Sequence, residues 1–187
     1  MDTKVKNNKI LKITVSIIVF ILGLIFLNNK SYAATQVVNG ITWTYTVSSG
    51  KATNVYTTTA ITTSLLTDGT TLVVPDTLGG YPVQSIGPNS SYNIIYKSNS
   101  SSNANSTIKK VQLPTTVTQI NQYSFSRFSG LTEVIGMDNV KTIGNYAFYY
   151  CKGLKTFEIP SSITTIGNYV FRYCSELTSV KFNSNVT

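Results

Sequence analysis

Apolar side chains recur every 23 residues in the last third of the chain, with mostly polar residues between them. Ile120, Ile143 and Ile166 share this spacing, and five residues after each comes a phenylalanine (Phe125, Phe148, Phe171). Four more apolar columns keep the same period: Val117, Val140 and Ile163; Phe128, Cys151 and Cys174; Leu131, Leu154 and Leu177; Val134, Phe157 and Val180. A fixed period of this length predicts a solenoid in which each copy is one rung of a stacked coil. We therefore expect the function to lie on a surface rather than in a pocket.

Each copy divides into the same elements. An apolar strand ends near Pro114, Met137 or Pro160, and a second short strand leads to the isoleucine. The stretches 145–148 and 168–171 then predict a short helical or 3₁₀ turn, with a glycine before each to form the corner. The predicted fold class is a β-rich α/β solenoid with 23-residue rungs, short parallel strands and short helical or 3₁₀ turns.

Residues 34–70 carry a different pattern. Ile41, Trp43, Tyr45 and Val47 alternate with polar residues, which is typical of a strand with one buried face. A turn at 48–51 and a threonine-rich run at 52–59 complete a predicted β-hairpin. We expect this hairpin to cap the first rung, because an end rung otherwise exposes its apolar core.

The solenoid itself is predicted to span residues 71–187, beginning with an irregular copy. Pro75 and Pro114 lie 39 residues apart, one period plus 16. Five of the extra residues form a turn at 79–83, and the remainder fall in a serine- and asparagine-rich insertion at 87–107. We expect an exposed loop there, either neutral or ligand-binding. In this copy Pro88 and Asn89 occupy the positions of the alanine–phenylalanine pair.

Residues 1–33 resemble a targeting segment. Four lysines precede an apolar stretch at 13–27, and Ser31 and Ala33 place small residues before a cleavage site. This layout is typical of a secretory signal peptide, and the alternative is a retained membrane anchor. The apolar stretch is shorter than the roughly 20 residues that span a bilayer. We therefore predict cleavage and a secreted or cell-surface location, without a stable membrane span afterwards.

The net charge bears on whether the protein binds nucleic acid. The net charge is +8, but residues 1–33 hold five lysines and one aspartate, so the remainder carries +4. Its positive residues are dispersed, which disfavours nucleic-acid binding.

Cys151 and Cys174 occupy equivalent positions one period apart. They are either a disulfide between rungs or, as we expect, reduced residues buried in the core.

The motif at 143–160, Ile-Gly-Asn-Tyr-Ala-Phe-Tyr-Tyr-Cys-Lys-Gly-Leu-Lys-Thr-Phe-Glu-Ile-Pro, resembles the BspA-like (Treponema pallidum-type) leucine-rich repeat. Residues 166–182 repeat most of it, and the likeness extends over about 40–182. The resemblance implies a secreted or surface protein involved in adhesion, with no catalytic residue. The second copy departs from the motif at Ile135-Gly136-Met137, where a buried residue and the proline are lost, so we expect looser rungs there.

Little in the sequence indicates chemistry. The chain has no histidine, the commonest general base and metal ligand. Glu133 and Glu158 lie in neighbouring copies but in different columns, so a glycosidase pair is disfavoured. We predict no catalytic residue, no metal site and no cofactor.

Exposed positions of the strands are the better candidates. Stacking should align them into one surface, which we call the strand face: Thr132, Glu133, Lys155, Thr156, Glu158, Thr178, Ser179 and Lys181. Tyr150 and Tyr173 form another candidate column, either for partner contact or for packing over the turns. Tyr123, Tyr146 and Tyr169 more closely fit a structural ladder.

Three functions remain open. The leading hypothesis is a non-catalytic adhesion module that binds an extracellular protein or a cell-wall or host polysaccharide. The alternatives are a structural spacer in a larger surface protein and, less favoured, an extracellular enzyme acting on glycans. The last rung has no closing element after Phe182, so its open end offers a surface for self-association or for a longer array.

Overall fold

The computed structural model describes residues 31–57, 61–88, 94 and 106–183. The predicted signal peptide lies outside the described residues except at 31–33, and so does most of the insertion predicted at 87–107.

Three antiparallel strands form the N-terminal part: β1 (Tyr32–Val38), β2 (Ile41–Ser48) and β3 (Lys51–Thr57). The predicted hairpin is confirmed as β2 and β3, and its four alternating apolar side chains are buried. β1, which we did not predict, pairs with β2 along its whole length and begins within the predicted signal segment. β3 then pairs in parallel with the first rung through Val55 and Ile86, so the hairpin caps the solenoid as expected.

Two sets of parallel strands build the rungs. The first set continues the N-terminal sheet in the order β1-β2-β3-β7-β9-β11-β13, with the new strands β7 (Ser85–Ile86), β9 (Gln119–Ile120), β11 (Thr142–Ile143) and β13 (Thr165–Ile166). The second set comprises β4 (Thr71–Val73), β8 (Lys110–Gln112), β10 (Glu133–Ile135), β12 (Thr156–Ile159) and β14 (Ser179–Phe182). The turn predicted at 79–83 lies in a small antiparallel pair, β5 (Thr77–Leu78) with β6 (Tyr81–Pro82). A 3₁₀ helix at Thr63–Leu65 precedes β4.

The predicted columns stack in register. Ile143 pairs with both Ile120 and Ile166 in the first sheet. The rings of Phe125 and Phe148 stack with centroids 5.3 Å apart, and those of Phe148 and Phe171 follow at 5.6 Å. The β-rich solenoid predicted from the period, and the leucine-rich repeat fold that the resemblance implies, are therefore confirmed.

The corner turns of each rung correct one detail of that prediction. Residues 145–150 and 168–173 contain no helix; they form a chain of turns in which Tyr146, Tyr150, Tyr169 and Tyr173 have positive φ. Alternate N–H groups donate within the turn, as Tyr149 does to Tyr146, or to the next rung, as Phe148 does to Val170. The left-handed residues interrupt the helical twist, so each corner forms hydrogen bonds both within itself and to the next rung.

The structure also corrects the predicted assignment of residues in the first copy. The N–H of Ile94 donates to the carbonyl of Ser124 at 2.8 Å, as the N–H of Phe125 does to that of Ala147 one rung later. Ile94, not Asn89, therefore occupies the phenylalanine column, and it is fully buried. Ile94 thus places a core residue within the insertion, which a loop assignment alone did not predict.

Both cysteines are free, as expected, but only Cys151 is buried, whereas Cys174 is partly exposed. The thiol of Cys151 donates to the carbonyl of Phe125 and that of Cys174 to the carbonyl of Phe148, each at 3.1 Å. Each thiol therefore bonds back to the preceding rung. Burial raises the pKa of the Cys151 thiol well above its ordinary value, because the thiolate cannot be solvated there.

Candidate functional site: a cleft between two sheets

The second set of strands is interrupted once. β4, β8 and β10 form one sheet and β12 and β14 another, so among the described residues β10 and β12 share no ladder. The first set is continuous at the same height, because β9, β11 and β13 pair without a gap. The rungs are therefore joined on one side of the coil and parted on the other.

Two backbone hydrogen bonds that the neighbouring rungs make are missing here. The N–H of Thr132 donates to Lys109 and that of Thr178 to Lys155, yet among the described residues the intervening N–H of Lys155 does not reach Thr132. Likewise, the N–H of Leu113 donates to Ile135, whereas the equivalent N–H of Gly136 makes no bond to Glu158. The predicted looseness of the second copy is thus located at this boundary.

The gap opens into a cleft of about 780 Å³, within the size range of protein ligand sites. Four residues of the predicted strand face line it: Thr132, Glu133, Thr156 and Glu158. Lys110, Val134, Gly136, Met137, Asp138, Leu154, Phe157, Pro160 and Asn183 complete the lining. The predicted strand face therefore contains a cleft at this boundary.

The cleft is lined by more acidic than basic groups. Glu133 forms an ion pair with Lys110, with Nζ and Oε2 3.0 Å apart and both side chains about half exposed. Glu158 accepts a hydrogen bond from the side-chain amide of Asn183. Asp138 adds a third carboxylate, so the formal charge of the lining is negative. Glu133 and Glu158, which the sequence placed in neighbouring copies but in different columns, both line this cleft.

The other predicted residues of the strand face lie outside the cleft lining. Lys155, Thr178 and Lys181 are exposed, and Ser179 is partly so. The hydroxyls of Thr132 and Thr178 donate to the carbonyls of Lys109 and Lys155 at 3.0 and 3.1 Å. These two threonines therefore join successive rungs, a role that sequence reasoning did not assign to them.

Tyr150 and Tyr173 belong to a separate group on the corner turns. We call it the corner surface: Tyr149, Tyr150, Tyr169, Tyr173, Arg127, Lys152 and Arg172. Lys152 Nζ lies 4.9 Å from the Tyr150 ring centroid, and the Arg172 guanidinium lies 4.9 Å from that of Tyr173. Tyr169 and Tyr173 are each more than half exposed. The alignment of aromatic rings with cations makes this surface amphipathic and positive.

Tyr123, Tyr146 and Tyr169 form the ladder expected from the sequence. Their rings stack with centroids 4.9 and 5.1 Å apart. Tyr123 and Tyr146 are partly buried, so their stacking stabilises the corner turns rather than presenting free rings.

In the described part of the chain, no group of three or more histidine, cysteine, aspartate or glutamate residues is arranged to hold a metal ion. Within the same residues, no helix has the length and apolar character needed to cross a membrane.

Comparison with known proteins agrees with this architecture. Residues 97–187 match a family model described as a BspA-type leucine-rich repeat region of six copies. A leucine-rich repeat protein from Bacteroides capillosus has a similar structure, with a TM-score of 0.58 and 26% identity, covering 80% of this chain and 99% of that one. No match is found among curated proteins.

Two further structures are similar in fold. A leucine-rich cell surface protein from Faecalibacterium prausnitzii has a TM-score of 0.50 and 23% identity over 80% of this chain. The pneumococcal vaccine antigen PcpA has a TM-score of 0.55 and 19% identity over 81%. The matched region spans only 42% and 38% of those two proteins.

Proposed function

Because residues 97–187 match a family model described as a BspA-type leucine-rich repeat region, we propose that this protein is a non-catalytic binding module, secreted or displayed on a bacterial surface, that holds a partner protein on its strand face. The observation that carries the proposal is the cleft between β10 and β12, which gathers Thr132, Glu133, Thr156 and Glu158 in one concavity. Solenoids use extended repeat surfaces to hold partners.

The chemistry of this face favours a protein. Exposed carboxylates, lysines and threonines alternate there with the partly buried Val134 and the apolar edge of Phe157. Protein interfaces combine such a small apolar centre with a polar rim. The extracellular location is supported by the resemblance to a described cell surface protein and by the predicted signal peptide.

Binding to an array of purified extracellular matrix and bacterial surface proteins tests the proposal. The triple variant Lys155→Ala/Thr156→Ala/Glu158→Ala should weaken binding of any captured protein at least tenfold. The control is Lys141→Ala/Thr165→Ala/Glu176→Ala, which removes the same three residue types from exposed positions outside the strand face. Its affinity should stay within twofold of the unmodified protein. Equal losses in both variants, or in neither, would contradict a role for the strand face.

The corner surface favours a second candidate, an acidic polysaccharide. Sugar rings pack on exposed tyrosines, and Arg127, Lys152 and Arg172 supply positive charge beside them. Polygalacturonate, an anionic polymer, should bind in a salt-dependent manner, and neutral dextran should not. Substituting Arg172→Gln and Tyr173→Ala should abolish this binding and leave protein binding at the strand face unchanged. Binding of both polymers alike would rule this candidate out.

A further inference from the structure

We propose that the cleft between β10 and β12 receives an extended, basic peptide segment of the partner protein, which pairs with both strands and makes the two sheets continuous. This inference rests on the proposed function and names the kind of segment that the strand face would hold.

The first argument is the state of the two strand edges. β10 pairs with β8 on its other side, and β12 pairs with β14. Within the described residues, the edges that face each other across the cleft belong to two different sheets. Among the described residues, the N–H of Lys155 and that of Gly136 lack the acceptors that Thr132, Thr178 and Leu113 have in the equivalent positions. Unpaired edges of this kind are templates for an added strand.

The second argument is that the packing of side chains holds β12 away from β10. Phe157 stands where β8, β10 and β14 have valine, and its ring lies 4.9 Å from that of Phe148 and 4.8 Å from that of Phe171. Phe157 is therefore fixed to its own rung and the following one. On the opposite side of the gap, Gly136 has φ +85 and approaches Leu113 so closely that a Cβ would lie 2.3 Å from its carbonyl oxygen. The end of β10 is therefore held against the end of β8.

The third argument identifies the occupant. An extended peptide presents N–H and C=O groups on both edges at the strand repeat, and only such a chain can satisfy β10 and β12 together. Its side chains alternate between the two faces, so one set would contact Val134 and Phe157 and the other Glu133 and Glu158. With Asp138 added and Lys110 already paired to Glu133, the complementary segment alternates basic with small or apolar residues.

The probe is acetyl-Lys-Thr-Lys-Val-Lys-Thr-amide carrying a fluorophore, measured by anisotropy against the full chain. Its control has the same sequence with N-methyl groups on alternate residues, which removes the donors of one edge and keeps every charge. We expect the methylated peptide to bind at least tenfold more weakly. We also expect the unmethylated peptide to slow hydrogen exchange at Lys155 and Gly136. Equal affinities, or no protection at these amides, would overturn the proposal.

A paired set of protein variants tests the gap itself. Lys155 interrupts a threonine column in which the hydroxyls of Thr132 and Thr178 bond to the preceding rung. Lys155→Thr restores that column and should draw β12 toward β10, so peptide affinity should fall at least fivefold. Lys141→Thr is the matched control, because Lys141 lies between Thr118 and Thr164 at the same spacing beside the continuous sheet. Both variants lose one positive charge, so equal affinities in the two would contradict strand insertion.

The outcomes separate this inference from the proposed function. If an array protein binds and Lys155→Ala/Thr156→Ala/Glu158→Ala weakens it, while the methylated peptide binds as well as the unmethylated one, the binding function stands and strand insertion fails. If none of the purified extracellular matrix and bacterial surface proteins binds, the proposed function loses its support. Preferential binding of the unmethylated peptide would then show only that the cleft accepts a strand.

Discussion

At the corner glycines, a single added Cβ atom would interfere with the stacking of the rungs. A Cβ on Gly144 would lie 2.5 Å from the backbone nitrogen of Gln122, and one on Gly167 would lie 2.5 Å from that of Asn145. The sequence indicated that glycine fits a tight corner here. The reason is the approach of the preceding rung, since neither residue has a positive φ.

Gly144→Ala should therefore lower the free energy of unfolding by about 1–3 kcal/mol, as overpacking does in dense cores. Gly50→Ala is the matched control, because Gly50 has φ +71 but, its chain neighbours aside, no atom of a described residue lies within 4 Å of its Cβ position. Only the left-handed backbone should cost energy there, about 1 kcal/mol. Urea unfolding monitored by circular dichroism measures both. A smaller loss at Gly144 than at Gly50 would contradict the close-approach argument.

The two cysteines should differ in reactivity although they occupy equivalent positions. Cys151 is fully buried and Cys174 is partly exposed at the last described rung. Burial raises the pKa of both thiols, so neither carries much reactive thiolate at neutral pH. Iodoacetamide should label Cys174 slowly in the native protein and Cys151 only after unfolding, as peptide mass spectrometry can resolve. Labelling of Cys151 in native protein would contradict its place in the core.

The same pKa shift has a consequence for stability at high pH. The folded state keeps the Cys151 proton above the ordinary pKa of 9.0, whereas the unfolded state loses it. The contribution of the Cys151 thiol to the free energy of unfolding is therefore fully present below pH 9. It declines as the pH rises above 9, because deprotonation then favours the unfolded state. A Cys151→Ala variant should lose part of this pH dependence.

At the scale of elements, the 23-residue columns predicted the strands of the repeats. They gave no indication of β1, which lies outside the repeats. β1 was missed although Asn39-Gly40, between Val38 and Ile41, is the typical sequence of a two-residue hairpin turn. The structure has both residues at positive φ, 52° and 76°. The corner turns were predicted as helical because tyrosine gives no sign of a left-handed backbone in a sequence. Ile94 was missed because the insertion shifts it out of the 23-residue register.

Within the described repeats, the backbone amides at the boundary between β10 and β12 should exchange their hydrogens fastest. In the part of the chain that the structure describes, the N–H of Lys155 and that of Gly136 lack the hydrogen bonds made at the equivalent positions of other rungs. In native-state hydrogen exchange they should exchange at least tenfold faster than the N–H of Thr132, Thr178 and Leu113, since exposed unbonded amides need no opening. Nuclear magnetic resonance gives these rates residue by residue. Equal protection across all five amides would mean that the sheets are joined in solution.

At the scale of the whole molecule, the period predicted a surface, and the cleft arises from one departure within that period. The sequence marked the departure at Ile135-Gly136-Met137 and predicted a loose rung. That the looseness becomes a cavity depends on Phe157 packing toward Phe148 and Phe171, a contact between columns. Column spacing shows which residues stack but not toward which neighbour a larger ring turns, so Phe157 could not be assigned this role in advance.

The 23-residue period also predicts which deletions the solenoid tolerates. Removing residues 141–163 joins Val140 to Thr164, which occupies the position of Lys141 one rung later, so every column stays in place and Phe125 can stack on Phe171. Removing residues 141–162 shifts the remaining copy by one position and turns its buried side chains outward. Because stability in stacked repeats is a sum of units and nearest-neighbour contacts, the first deletion should lower Tm yet keep cooperative unfolding, while the second should unfold the last rung. Circular dichroism melting compares the two, and equal behaviour would contradict a register fixed at 23 residues.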